Sequence, residues 1–456
     1  MSNDRTELFE TMPLNKAITK LVAPTVIGSL VMIIYNLADT YFVGLLNDPI
    51  QTASVTLISV LLLLFNAINN LFGVGTSSMM ARALGAKDHD TCSRSSATGF
   101  YLALFSAIIF MILATIFKTP ILNILGADET TFDAAYNYMF WAVNMGAVPA
   151  IMNVVMSYMV KSEGDALNAS IGTMCGCILN IILDPFFVLP QFLNMGAAGA
   201  GLATFISNCV AFLYFLVLSL VVKRGKTIIC LDPRKITFDK KILGGICEVG
   251  IPAAIQNILN VVGQTLLNNF AAGYGAEAVS AVGISYRLYT IPFMVSMGAS
   301  QGIMPLISYN YSSGNIKRMR KATNITLKMM IISMGAMAII YFIFSNQLVG
   351  FFLNVEEVIK MGGVILKGMA LALPFIGIDF TGVGVFQATG YGKMSLIFAI
   401  FRKIILEIPF LILFNKLWPL YGLGYAQFAA EFILSIASLV VLNKLFENWE
   451  NTRQVM

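Results

Sequence analysis

Two pairs of residues in this chain place a carboxyl where an apolar helix would ordinarily carry none. Asn180 and Asp184 lie four apart in the stretch Cys177 to Phe187, and a proline, Pro185, follows the acid directly. Tyr35 and Asp39 repeat the spacing in an earlier apolar run, with Asn36 beside them. A spacing of four puts both members of a pair on one helical face. A carboxyl at membrane depth costs roughly 2.5 kcal/mol or more unless it meets water or a partner, so such a group defaults to a working role. The economical chemistry is uptake and release of a cation. Thr204 follows Gly196, Gly199 and Gly201, small residues that permit close helix packing. Together these positions offer two carboxyls, an amide, a phenol and a hydroxyl, oxygen donors suited to a proton or a sodium ion. Pro185 marks a helix expected to be interrupted where the ion binds. The plainer alternative is that Asp39 and Asp184 are structural acids hydrogen-bonded within a bundle.

The elements that must position these residues are membrane helices. The chain has 456 residues, is 57% hydrophobic and only 12% charged, with a mean hydropathy of +0.79. Ordinary soluble domains carry about 25% charged residues. The charges cluster between apolar runs of about 20 residues, the length a helix needs to cross the hydrocarbon. A β-barrel would show short alternating segments instead. Met1 to Asn15 is mixed in charge, with Asp4, Glu7 and Glu10, and does not read as a removable signal peptide. Six scattered cysteines and the single His89 speak against a disulfide framework, a zinc site or haem. The net charge of +5 is a loop bias, not a nucleic-acid footprint.

Twelve apolar spans are centred in 16–44, 52–81, 95–117, 134–160, 168–189, 196–222, 242–271, 277–308, 322–345, 361–388, 395–415 and 421–443. With the N-terminus inside, 20 Lys and Arg residues fall in cytoplasmic segments, among them Arg5 and Arg453, and only Lys118, Lys360 and Lys416 lie outside. This satisfies the positive-inside rule and places both termini in the cytoplasm. The expected fold is an all-α polytopic membrane protein with twelve helices in two pseudo-symmetric lobes. Residues 1–225 form the N-lobe, 226–241 a cytoplasmic linker and 242–456 the C-lobe. Internal similarity supports the division at an offset of about 223–228 residues. Ala23 to Ile27 faces Ile251 to Ile255, Arg82 to Asp88 faces Tyr309 to Asn315, Pro149 lies near Pro374, and Gly199-Ala200-Gly201 faces Gly422-Leu423-Gly424. An even number of spans per repeat gives the parallel-repeat arrangement of secondary transporters.

The second half is not a copy. Leu267 or Asn268 stands opposite Asp39, while Glu407 faces Asp184, with Arg402 close enough in sequence to pair with it. Asp379 faces Asn153 and could attract a cationic cargo or hold a second ion. Asn153, Gln256, Asn260 and Asp379 are the polar in-span residues assigned to a substrate cavity. Glu431, Glu248 and Arg287 receive no role. The 25 Met and 33 Phe residues would suit an adaptable cavity, although most will pack helices or face lipid.

Asn70-Leu71-Phe72-Gly73-Val74-Gly75 leading to Leu84-Gly85-Ala86-Lys87-Asp88, the run Leu179 to Pro185, and Gln387-Ala388-Thr389-Gly390 resemble, in this order, multidrug and toxin extrusion (MATE) transporters, in particular the MepA-like branch. The resemblance implies two six-helix lobes around a V-shaped central cavity. It also implies export of cationic drugs or dyes against inward flow of H⁺ or Na⁺, with no cofactor besides the coupling cation. In the branch with an acidic N-lobe, the coupling positions match Tyr35, Asp39, Asn180, Asp184 and Thr204. If the ion is Na⁺, the ligands would come from Asp39, Asn180 and Asp184. The branch with a C-lobe site uses acids in spans 7 and 10; here Asp379 lies near the latter position, but Asn260 or a neighbour stands at the former. The resemblance further implies a multi-pass protein of a bacterial or archaeal-type inner membrane, a monomeric unit whose partners are small molecules and the lipid bilayer. A lipid-linked glycan flippase or other metabolite exporter of the same architecture is the rival reading, disfavoured by the few in-span bases Arg287, Lys367, Arg402 and Lys403. An enzyme or receptor is a further class, but no Cys-His metal spacing, nucleophile elbow or P-loop supports it.

Overall fold

The computed structural model describes residues 6–454. Asp4 and Arg5, counted in the charge pattern, lie outside the described residues, as does the side chain of Arg453. The described chain is helical apart from turns and connections. Its long helices are α1 (Leu14–Gly44), α2 (Pro49–Gly85), α3 (His89–Ile116), α4 (Phe132–Met145 and Ala147–Ser162), α5 (Ala166–Val188) and α6 (Ala197–Val222). There follow α7 (Lys240–Ala272), α8 (Ala276–Ser312), α9 (Ile316–Ile343), α10 (Glu356–Thr389), α11 (Gly392–Ile400, Phe401–Glu407 and Ile408–Leu417) and α12 (Gly422–Gln454).

Among the described residues, ten of these are long and apolar enough to cross a membrane unbroken, and α4 makes an eleventh despite a 45° bend between its two pieces. Gly146 and Pro149 supply that bend: one adds freedom, the other removes an amide hydrogen. α11 departs from the pattern because Arg402, Lys403 and Glu407 occupy its middle, in a π-helical turn. Pro185 does not interrupt its helix. α5 runs on to Val188, and the amide of Leu189 still bonds the Pro185 carbonyl at 3.2 Å. So near the helix end, a proline forfeits a single backbone bond and the remaining turn holds.

The chain packs as two compact units. One is built around Ile27–Ala254; the other joins Phe9–Val26 to the chain from Ile255 onwards. The boundaries fall inside α1 and α7, within a turn of Pro24 and of Pro252. Segment 227–237 is tied to the first unit: Glu163 accepts the amides of Ile228 at 2.6 Å and Ile229 at 3.0 Å. The Tyr101 hydroxyl donates to Leu231 O at 2.9 Å.

The internal repeat is visible in contacts. Lys87 (φ 59°) and Gly314 (φ 86°) both take the left-handed conformation that turns the chain into the next helix. The following residues, Asp88 and Asn315, each cap that helix by accepting a backbone amide. A Cβ on Gly199 would sit 2.5 Å from the carbonyl oxygen of Phe187 in α5, and one on Gly422 would strike the Phe414 carbonyl in α11. A Cβ on Gly201 would lie 3.0 Å from Tyr138 O in α4, and one on Gly424 would strike Ile365 O in α10. Each half thus uses two glycines, two residues apart, to seat its sixth helix against its fifth and fourth.

Candidate functional site

The first unit gathers the sequence-singled residues at one place. α5 carries Asn180 and Asp184 on one buried face, 1% and 0% exposed. The close approach of α6 that Gly199 and Gly201 permit brings Thr204, also buried, against them. Partners orient the Asn180 amide. Its nitrogen donates to Asp184 Oδ2 at 2.9 Å, while its oxygen accepts from the Thr204 amide at 3.0 Å and hydroxyl at 3.2 Å. The reverse orientation would set donor against donor and oxygen against carboxylate. From α1, the Tyr35 hydroxyl comes within hydrogen-bonding reach of the Thr204 side chain. Asp39, one turn along, is half-buried and lies within electrostatic range of Asp184. Its Oδ1 is sealed from solvent and has no hydrogen-bond partner among the described residues.

Two carboxyls held this close in an apolar bundle, one oxygen unpartnered, leave a place for a positive charge. Buried charge persists only when paired, hydrogen-bonded or neutralised. The donors are all oxygen, the chemistry of a proton or a hard cation and not of zinc. Among the described residues no group of three or more His, Cys, Asp or Glu could hold a metal ion. Any sodium ion would therefore rely on Asp39, Asn180 and Asp184 with hydroxyl or carbonyl help. The donor types suit such an ion, although the Asn180 oxygen is turned to Thr204 and its nitrogen to Asp184.

Two further side chains belong here that sequence reading passed over. Tyr138 of α4 is buried and stands within electrostatic reach of Asp39, Tyr35 and Asp184. Nothing in its local sequence marks it, since a tyrosine in an apolar run is ordinarily core. Asn208 did leave a signal, being four residues after Thr204. Its amide donates to Thr204 O at 2.9 Å, and its oxygen accepts from Asn153 at 2.7 Å. Asn153, assigned to the cavity from sequence, thus joins the cluster through one amide.

The other candidate cavity residues lie in the second unit. Gln256 and Asn260 are half-buried on α7. Asp379 is buried on α10 and forms part of a charge cluster. Arg402 lies 2.7 Å from Glu431 Oε1 and 3.7 Å from Asp379 Oδ2, and its guanidinium stacks over Phe380 at 4.9 Å. Glu407 pairs with Lys403 at 2.6 Å, not with Arg402. The correction lies in the tertiary partners: Lys403 takes Glu407 within the π-helical turn, while the Arg402 guanidinium is drawn to Glu431 of α12 and Asp379 of α10. Glu431, given no role from sequence, is the innermost acid of this group, at 0% exposure. Gly263 of α7 lets the Lys403–Glu407 pair approach closely, since a Cβ there would lie 3.1 Å from both charged groups.

Comparison with known proteins follows the same division. The family model MatE matches twice, at residues 24–186 and 252–413, starting on Pro24 and again on Pro252. The multidrug export protein MepA of Staphylococcus saprophyticus is 33% identical over 445 residues, covering 97% of this chain and 96% of the relative. MepA of Staphylococcus aureus strain MRSA252 is 30% identical over 446 residues, with the same coverage. A solved outward-facing multidrug resistance MATE family transporter of the MOP superfamily superposes with a TM-score of 0.92 at 23% identity, over 99% of this chain and 100% of its own. That likeness establishes the shared twelve-helix, two-lobe fold.

Proposed function

The chain belongs to the MatE family, and from that premise we propose that it is a secondary active multidrug exporter that expels organic, mostly cationic amphiphiles in exchange for H⁺ or Na⁺. The full-length similarity to multidrug export proteins supports the cargo class. The observation that carries the coupling reading is the α1–α5–α6 cluster. Asp39 and Asp184 lie within electrostatic range of one another, Asp39 keeps one sealed, unpartnered oxygen, and Asn180 and Thr204 are set against Asp184. The protein resides in the inner membrane as a monomeric unit with both termini cytoplasmic, a reading supported by its multiple spans and the basic bias of its loops.

The cycle follows from linkage. A cation arriving at Asp39 and Asp184 removes their mutual repulsion and lets α1 settle closer to α5 and α6. Gly28 already allows α1 within 3.6 Å of Ser170, measured from a Cβ built on the glycine. The half of α1 carrying Tyr35 and Asp39 begins just after Pro24, where the helix lacks one backbone bond and Thr25 hydrogen-bonds back to Leu21 O at 2.9 Å. Both features favour bending there. Exchange requires the ion and the cargo to prefer different conformations, because equal affinity for both shifts no population. Gln256, Asn260, Asp379 and, through Asn208, Asn153 are the polar contacts assigned to the cargo.

The glycan flippase alternative is weakened by charge. The buried bases Arg402 and Lys403 are already matched by Glu431, Asp379 and Glu407, which leaves them poor receptors for a pyrophosphate. The test is efflux of a fluorescent cation from proteoliposomes under separately imposed proton and sodium gradients. Asp184→Asn and Asp39→Asn are each expected to abolish gradient-driven efflux. Wild-type efflux from both would sink the coupling site, and efflux without any ion gradient would sink antiport itself.

A further inference from the structure

We propose that the second unit carries a binding site for an anionic glycerophospholipid, formed where the segment preceding α1 lies along the start of α9. A cavity of about 710 Å³ is lined there by Glu10 to Asn15 on one side and by Asn315, Lys317, Arg318, Lys321 and Ile325 on the other.

Its walls are built and not incidental. The segment before α1 is held by five contacts. The Phe9 ring stacks on Tyr309 at 4.8 Å. The Tyr309 hydroxyl donates to Glu10 Oε1 at 2.6 Å. Arg318 donates from Nε to Phe9 O at 2.8 Å and from an Nη nitrogen to Met12 O at 2.6 Å. Phe9 O also accepts from Asn310 at 3.2 Å. The single acid of the lining is thereby engaged by a phenol, and Arg318 by two backbone carbonyls. Lys317 and Lys321 are exposed and make no ion pair among the described residues. Arg320, on another face of the same helix, is paired with Glu450 at 2.9 Å. Unmatched charge therefore lies on the cavity side, and Lys328, two turns beyond Lys321 on α9, is likewise exposed with no ion pair among the described residues.

Depth names the ligand. Leu14 opens α1 and Asn315 caps α9, so the rim lies where two membrane-crossing helices begin. Ile325, nine residues into α9, is about 14 Å further along the axis at 1.5 Å per residue. Within the lining, the wall thus passes from two ammonium groups to an aliphatic side chain along the axis of α9. A phosphodiester of net negative charge matches the rim, and the first carbons of an acyl chain match the depth. A free phosphate would use only the rim. Basic pockets at the ends of membrane helices are suited to anionic headgroups, and each lysine contributes through charge near the surface.

The experiment is native mass spectrometry of the delipidated full chain titrated with phosphatidylglycerol, alone and beside phosphatidylcholine. Lys317→Gln/Lys321→Gln is expected to weaken the tightest phosphatidylglycerol site by roughly 30-fold. The control Lys240→Gln/Lys241→Gln removes equal charge at the start of α7 and is expected to leave that site unchanged. Millimolar inorganic phosphate should not displace the lipid. Equal binding by wild type and the first double variant would overturn the proposal. So would an equal loss in the control, which means diffuse charge, or equal retention of phosphatidylcholine. Displacement by phosphate would assign the cavity to a soluble anion instead. Should the double variant fail to fold, Lys317→Gln and Lys321→Gln singly carry the test, each with a loss of about fivefold.

Discussion

The Asn180 side chain illustrates how one neutral group can set the state of a buried acid. It donates to Asp184 and accepts twice from Thr204, so every strong partner it has lies inside the cluster. Asn180→Ala leaves a fully buried carboxyl oxygen without its donor, a defect worth about 1–3 kcal/mol. The expected outcome is a lower Tm in detergent together with impaired ion-driven efflux. Tyr138 offers the complementary case. Tyr138→Phe keeps the ring packed beside Gly201 and removes only the hydroxyl facing Asp39 and Asp184. Its Tm should stay close to wild type while ion-driven efflux falls severalfold. Unchanged efflux would place Tyr138 outside the working site. Of this cluster, Asn180, Asp184, Tyr35 and Asp39 were legible because polar residues four apart stand out in an apolar run. Tyr138 was not, because only the tertiary packing that brings α4 within reach of α1 and α5 gives its side chain those neighbours.

Helices meet in this protein through paired glycines and through one buried charge cluster. Gly199→Ala pushes a methyl group against the Phe187 carbonyl, and Gly424→Ala does the same at Ile365. Neither target can retreat as a flexible side chain would, so each change should cost about 1–3 kcal/mol. Thermal unfolding of the two variants checks this: two unshifted Tm values would refute the tight backbone contact at these glycines, and a shift in one alone would refute the equivalence of the pairs. The charge cluster binds α11 to α10 and α12 through Arg402. Removing one partner of a buried pair strands the others, at about 3–5 kcal/mol. Arg402→Met should therefore be more destabilising than the double change Arg402→Met/Glu431→Gln, which removes charge of both signs. A double variant less stable than the single would show that Glu431 has other partners. Arg402 also shows where spacing misleads: its sequence distance from Glu407 suggested a pair, but acids on α10 and α12 take its guanidinium.

At the scale of the molecule, the informative feature is that both packing boundaries fall beside a proline inside a long helix. α1 and α7 each begin in one unit and end in the other, within a turn of Pro24 and Pro252. A proline inside a helix costs roughly 3 kcal/mol in lost bonding and steric clash, so its presence at both positions suits a helix that must bend. Pro24→Ala and Pro252→Ala are each expected to raise Tm and to slow efflux turnover, measured in proteoliposomes at saturating gradient. Faster or unaltered transport in both would remove bending of these helices from the mechanism.

Some properties of this protein follow from composition and order alone. Apolar runs of span length, basic residues concentrated in alternate loops and a repeat of about 223–228 residues already specify a twelve-helix, two-half membrane protein. They do so because a bilayer forces helices of set length and sorts charge across itself. The four-residue spacing likewise located most of the acidic cluster, since one helix turn is a local property. Tertiary structure alone decided which partner each buried charge takes, and that Asn208 links Asn153 to Thr204. Only packing, too, revealed that Phe9 to Met12 and α9 enclose a basic cavity. Those outcomes depend on which faces of distant helices meet, and no local spacing encodes that. Asp184 stood out in the sequence as a costly group beside Asn180 and Asp39; the fold set Asn180 and Thr204 against it and brought Asp39 within electrostatic range.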